Sequence, residues 1–262
     1  MKKIFLTALL LLTIALTACG GRSDDIRGKT FVVGVDDEFA PMTFRDENNQ
    51  LVGFDIDLAK ETAARLGVTF KFKPIEWDNK EHEITSGNVD LIWSGCDVVD
   101  ERKAYMIFSN PYMDNRQIIL VRADSKDEIR SEDDLAGKIV GTQAGSNSET
   151  YINDNVAVKN SFMKFQTYTN FTEGFGFLSR GEVDALIVDE IAARHEMSKN
   201  PDAFKIVDVT IGPVTGFGIG FGKDKVNLRD KVQAAFATLV DDGTAKKISE
   251  QWFNADLISF QK

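Results

Sequence analysis

Gly87-Asn88-Val89-Asp90-Leu91-Ile92 returns later in the chain as Gly181-Glu182-Val183-Asp184-Ala185-Leu186. A Gly-x-Val-Asp turn feeding a β-rich run is a fragment that any α/β chain can contain once. Here each copy follows a second matching strand, Val32-Val33-Gly34-Val35 before the first and Ile139-Val140-Gly141-Thr142 before the second. The shared order predicts two similar α/β lobes. Working outward, Phe31–Val35, Phe70–Phe72 and Val89–Trp93 are compact apolar runs of the kind buried in parallel sheets. Between them Ile56, Ala59, Ala63 and Leu66 recur at helical spacing and Gly67 follows as a stop, so residues 54–66 form an amphipathic helix. Strand and helix continue to alternate, which predicts an α/β architecture. Ligands of open α/β sheets bind outside the carboxyl ends of the strands. The residues just after Val35, Trp93, Thr142 and Val188 should therefore share one cleft: Asp36, Asp37, Glu38 and Phe39; Ser94, Gly95, Cys96 and Asp97; Gln143 to Asn147; and Asp189.

The N-terminus carries an address. Met1-Lys2-Lys3 precedes an apolar stretch from Ile4 to Leu16, too short for a comfortable membrane span, and Leu16-Thr17-Ala18-Cys19 closes it. That ending resembles the lipobox of bacterial lipoproteins. It implies a signal peptide over 1–18, a lipid on Cys19, a polar tether over 19–27, and a domain held at the extracytoplasmic face of the cell membrane. No later apolar run is long enough to span a bilayer, so the lipid would be the sole anchor. With Cys19 so used, only Cys96 remains of the 2 cysteines and no internal disulfide can form. The net charge of −10 gives no attraction to phosphate backbones or anionic lipid, which argues against a nucleic-acid partner. His82 and His195 lack a cysteine partner at ligand spacing, so no metal site and no cofactor are expected.

A resemblance covers nearly the whole chain beyond the leader. Phe39-Ala40-Pro41-Met42 stands upstream of Gly53-Phe54-Asp55-Ile56-Asp57-Leu58. Asp100-Glu101-Arg102-Lys103 is followed by Phe108-Ser109-Asn110-Pro111-Tyr112, then Gly145-Ser146-Asn147 after a strand, Val183-Asp184-Ala185 leading to Asp189, and Asp242-Gly243-Thr244. In this order the motifs resemble those of family 3 extracellular solute-binding proteins, the amino-acid receptors of ABC importers. The resemblance implies a two-lobed type II periplasmic-binding-protein fold, with lobe 1 from 28–115 and 217–262 and with hinges and lobe 2 in 116–216. The hinges would lie near Asn115 to Ile118 and Pro213 to Gly216. The expected function is to capture an L-amino acid between closing lobes and deliver it, as a monomer, to the membrane permease.

Burying the carboxylate or the ammonium of an amino acid unpaired is expensive, so the site must supply both opposite charges. The resemblance gives the carboxylate to Arg102, whose planar guanidinium can bind it through two parallel hydrogen bonds. Ser146 would open a helix whose N-terminal N–H groups complete that subsite. Asp189 and the Gly95 carbonyl would take the ammonium. Phe39 stacks on the ligand in relatives; Trp77 matches a second stacking position but reads equally as core. Asp36 meets the ligand's distal end in relatives.

Two departures stand out. Thr62 occupies a usually aliphatic or alanine position, expected to be partly buried. Asp97 replaces a threonine or serine that donates to the ligand carboxylate; its carboxylate would repel that group and must turn toward a cation. Together with Asp36 it makes the pocket acidic and points to a polar, possibly cationic, amino acid such as lysine or arginine. Asp37 and Glu38 read as solvated loop charges, Cys96 as a small buried hydrophobe, and Arg116 as either a cleft or a surface residue. Two rivals remain: a dehydratase-like enzyme of related fold, against which stands the absence of a paired catalytic set, and a ligand sensor serving a signalling partner.

Overall fold

The computed structural model describes residues 25–261; the leader and Cys19 lie outside them. In chain order the elements are β1 (Thr30–Val35), a small antiparallel sheet of β2 (Glu38–Phe39), β3 (Thr43–Arg45) and β4 (Leu51–Val52), then α1 (Phe54–Leu66) and β5 (Thr69–Pro74). They continue with α2 (Lys80–Thr85), β6 (Leu91–Asp97), α3 (Asp100–Lys103), β7 (Met106–Phe108) and β8 (Met113–Arg122). Next come β9 (Ile139–Gln143), α4 (Asn147–Asp154), α5 (Val156–Ser161), β10 (Lys164–Tyr168), α6 (Phe171–Ser179), β11 (Ala185–Asp189) and α7 (Glu190–Lys199). The long strand β12 (Phe204–Gly222) returns to α8 (Val226–Asp241) and α9 (Thr244–Phe253).

Helix α1 occupies the predicted residues. Its apolar face, with Phe54, Ile56, Leu58 and Ala59, is buried, and Asp55 and Asp57 at its start and Arg65 at its end complement the helix dipole. Gly67 takes the left-handed conformation (φ 65°) and returns its N–H to the last turn. Thr62 is fully buried rather than partly so; its hydroxyl donates to the Leu58 carbonyl at 2.8 Å, which satisfies it within the helix.

The main sheet runs β10-β9-β11-β8-β12-β6-β1-β5, with β7 also on β12. Parallel trios, β5-β1-β6 and β10-β9-β11, form its two ends, and β8 and β12 run antiparallel between them. These are the two α/β lobes. The recurring aspartate has the same task in both. Asp90 Oδ2 accepts the Val32 N–H at 2.8 Å, and Asp184 Oδ2 accepts the Ile139 N–H at 2.7 Å. Each carboxylate thus ties the start of its strand to the neighbouring parallel strand, where the ladder has not yet begun.

Alternation along the strands fills helix-covered cores on both faces. In β6, Leu91 and Trp93 face the core shared with α1 and α8, while Ile92 and Cys96 face a cluster with Trp77, Ile84 and Met106. In β11, Leu186 and Val188 join one cluster while Ala185 and Ile187 join the other. The pairing of β12 with β8 slips in register between Val207 and Thr210 and again between Ile211 and Thr215. Beyond the second slip β12 pairs Thr215 to Phe217 with the first residues of β8, and from Phe217 onward it lies against β6.

Two expectations need correction. Ser94 to Asp97 do not follow strand β6 but end it, because β12 supplies ladder partners as far as Asp97. The tether does not extend through residue 27: Ile26 is buried in the lobe-1 core and the Gly28 N–H donates to the Gly67 carbonyl at 2.7 Å.

Candidate functional site

Asp36, Phe39, Trp77, Gly95, Asp97, Arg102, Ser146 and Asp189, all named from the sequence, line one narrow gap between the lobes, together with Gln143 and Asn147. Strand ends explain the convergence: β1 delivers Asp36, β6 delivers Gly95 and Asp97, β9 delivers Gln143 and β11 delivers Asp189.

Arg102, in the single turn of α3, is 3% exposed. Its Nη1 donates to the Asp97 carbonyl at 3.3 Å and lies 3.7 Å from Asp97 Oδ2, and its Nη2 donates across the cleft to the Gly145 carbonyl at 3.3 Å. Facing it, Ser146 caps α4: its Oγ accepts the Glu149 N–H at 3.1 Å, and Glu149 returns a carboxylate to the Gly145 N–H at 2.6 Å. A guanidinium and a capped helix N-terminus thus confront each other, a pairing suited to a carboxylate.

On the adjoining wall the acids dominate. The Asn115 Nδ2 donates to both Asp97 Oδ1 (2.9 Å) and Asp189 Oδ1 (2.5 Å). The Thr215 hydroxyl adds a bond to Asp97 Oδ1 and the Gln117 amide one to Asp189 Oδ1, each 2.5 Å. Desolvation raises Asp189 to about 7, and the neighbouring charge of Asp97 pushes the same way. Asp189 stands at the N-cap position of α7 but makes no side-chain cap bond; its carboxylate is turned into the gap.

Asp36 is also buried, and its Oδ2 accepts the Gln143 amide across the gap at 2.6 Å. Burial pushes its carboxyl up to about 6. Gly95 adopts φ +50°, and a Cβ there would lie 2.4 Å from Phe39 Cε1, so the Phe39 ring rests flush on that backbone. Beneath Gly95, the wholly buried Asp55 accepts its N–H at 2.7 Å and the Tyr112 hydroxyl at 2.8 Å, which holds the Gly95 turn in place. Trp77 lines the gap and also packs in a core cluster with Ile84 and Val89.

Lys80, Asn115 and Gln117 were not singled out from the sequence. Lys80 is buried, its Nζ donating to the Trp77 carbonyl at 3.1 Å and across the cleft to the Gly145 carbonyl at 2.7 Å, 5.1 Å from the Trp77 ring centre. A lysine in a polar run is ordinarily on the surface, so nothing marked it. Asn115 and Gln117 were legible in principle, because their spacing of two on a strand puts both on one face. Arg116, between them, points away to Glu190 (2.6 Å) and Asp208 (2.9 Å). It lines a roomier groove of about 550 Å³ beside the C-terminal segment, whose ionic side chains are only partly buried and largely paired with one another. Asp37 pairs with Arg45 on the surface, Glu38 is exposed, and Cys96 is fully buried under Arg102 with its thiol pushed up by desolvation. Among the described residues no group of three potential metal ligands comes together.

The model of the bacterial extracellular solute-binding proteins, family 3, matches residues 31–255. The chain is 30% identical over 228 residues to the L-cystine-binding protein TcyJ of Escherichia coli (strain K12), spanning 87% of this chain and 84% of that one. Among solved structures, an ABC uptake transporter substrate-binding protein from Streptococcus pneumoniae with bound histidine superposes with a TM-score of 0.83 at 32% identity, covering 88% of this chain and 95% of that one. An ancestral arginine-binding protein bound to arginine gives 0.79 at 39% identity, covering 86% and 98%. The chain is therefore a member of the family 3 bacterial extracellular solute-binding proteins.

Proposed function

We propose that this protein is the receptor of an ABC importer for a polar, cationic L-amino acid of the lysine and arginine class. The observation that carries the proposal is the set of charged groups on one gap: Arg102 against the N-terminus of α4, Asp97 with Asp189, and Asp36 with Gln143. These three groupings suit an α-carboxylate, an α-ammonium and a distal cation. Phe39 and Trp77 would flank the aliphatic part of the side chain. The histidine and arginine bound by the two solved relatives support this ligand class.

Lobe 1 would comprise 28–115 and 217–262, and lobe 2 the segment between, with hinges at Asn115 to Ile118 and Pro213 to Gly216. The register slip of β12 between Ile211 and Thr215 supports the second hinge. Because Arg102 belongs to one lobe and Ser146 and Asp189 to the other, a ligand held by all three favours the closed arrangement over the open one. The monomeric receptor would present that closed form to a membrane permease, with a lipid on Cys19 keeping it at the extracytoplasmic surface.

A thermal-shift screen of the purified protein against the common amino acids tests this. A ligand at 100 times its dissociation constant stabilises by about 2.7 kcal/mol, or roughly 5–10 °C for a protein of this size. Arginine or lysine should give the largest shift. Shifts confined to neutral or acidic amino acids would refute the ligand class, and product formed on long incubation would favour an enzyme.

A further inference from the structure

The buried carboxylates of Asp97 and Asp189 are joined through one amide group. Asn115 Nδ2 lies 2.9 Å from one and 2.5 Å from the other, so both oxygens sit around a single nitrogen. The groups facing them are known from every element packed there. Arg102 comes from α3, Asn115 and Gln117 from β8, Thr215 from β12 and Ser148 from α4, the last bonding Gln117 Oε1 at 2.5 Å; Lys80 lies beyond Arg102. Asp97 receives two donors on Oδ1 and has the guanidinium beside Oδ2. Asp189 receives neutral amides and faces Asp97. One guanidinium balances one carboxylate, and a buried cluster resists a second uncompensated negative charge.

Resting on the site reading above, we infer that Asp97 is a specificity-determining residue of the ammonium subsite. It forms with Asp189 a pair that keeps one proton when empty and releases it to solvent as the ligand's ammonium takes its place. Before binding the pair holds one carboxylate and one carboxylic acid; afterwards both are carboxylates around one ammonium, and one proton has left. A free, protonated amino group is then required, and the acidic residue at 97 works on the ammonium side rather than the carboxylate side.

Two experiments separate this inference from the ligand assignment. In the ligand-free protein, carbon-13 NMR of the aspartate carboxyls, assigned with Asp189→Asn, should show Asp189 titrating near neutrality, with the midpoint falling by about one pH unit in Asp97→Asn. An unmoved midpoint overturns the pair whatever ligand binds. Calorimetry of Asp36→Asn, which removes the other carboxyl raised to about 6, with L-arginine and L-lysine in buffers of different ionisation enthalpy should show about one proton released per ligand at pH 6 and almost none at pH 8. Binding without proton release at pH 6 overturns the inference while leaving the receptor reading intact. If neither amino acid binds even the unsubstituted protein, the ligand assignment fails and the titration alone decides the pair.

Discussion

Arg102 is the residue on which the carboxylate subsite depends most. Its guanidinium donates to the nearby Asp97 carbonyl and, with the lobes together, to the Gly145 carbonyl across the cleft, which orients it toward the gap. Truncating the cation that meets a buried carboxylate costs about 2–5 kcal/mol. Arg102→Ala should therefore weaken amino-acid binding by at least 30-fold in calorimetry, and unchanged affinity would remove Arg102 from the site. Asp36 governs the distal end. Asp36→Asn should lower affinity for arginine and lysine by roughly tenfold and leave glutamine binding little changed. Its pH dependence has a definite sign: burial raises this carboxyl to about 6, so the charge that holds a cationic side chain is present above that pH and lost below it. Affinity for arginine measured from pH 8 down to pH 5 should fall accordingly. At this scale the sequence marked the residues that belong to ordered motifs, Arg102 and Asp189 among them. It did not mark Lys80, because burial of a lysine depends on a carbonyl 65 residues away and on no local pattern.

Among the elements, the seam between α2 and the start of α4 determines how closely the lobes approach. Gly145 has φ +69°, and a Cβ there would lie 2.7 Å from the Asp78 Cα and 2.9 Å from Lys80 Nζ. Gly145→Ala should hold the lobes apart, costing tenfold or more in affinity while circular dichroism stays unchanged; wild-type affinity would mean that this contact is not part of closure. The duplicated aspartates make a second claim at this scale. Asp184→Ala strands the Ile139 N–H and should lower stability by about 1–3 kcal/mol, read from the urea midpoint. Helical periodicity located α1 to the residue, and the repeated Gly-x-Val-Asp exposed both lobes. The end of β6 is hidden in the sequence because Ser94, Gly95 and Asp97 are residues typical of a loop. What makes them strand is pairing with β12, more than a hundred residues further on.

For the whole molecule, burial sets stability and binding on opposite pH trends. Asp36, Asp55 and Asp189 are raised by burial to about 6, 7 and 7, above the ordinary aspartate value of 3.8, so the folded state holds more protons than the unfolded one between those limits. Their charged forms penalise folding at pH 8, and that penalty lifts as the pH falls through 7 and 6. His195, lowered by burial to about 4, and Lys80, lowered by burial to about 8, oppose this with fewer groups. The melting temperature of the ligand-free protein should therefore be higher at pH 5.5 than at pH 8, while ligand affinity moves the other way; parallel trends would contradict the assignment of these carboxyls.

The account as a whole turns on the orientation of the ligand across the two lobes, and a crystal structure with L-arginine reads it directly. The carboxylate should lie on Arg102 and the N-terminus of α4, the ammonium between Asp97 and Asp189, the aliphatic part of the side chain between Phe39 and Trp77, and the guanidinium on Asp36. Arginine bound elsewhere, or reversed so that its carboxylate faces Asp36, would contradict it.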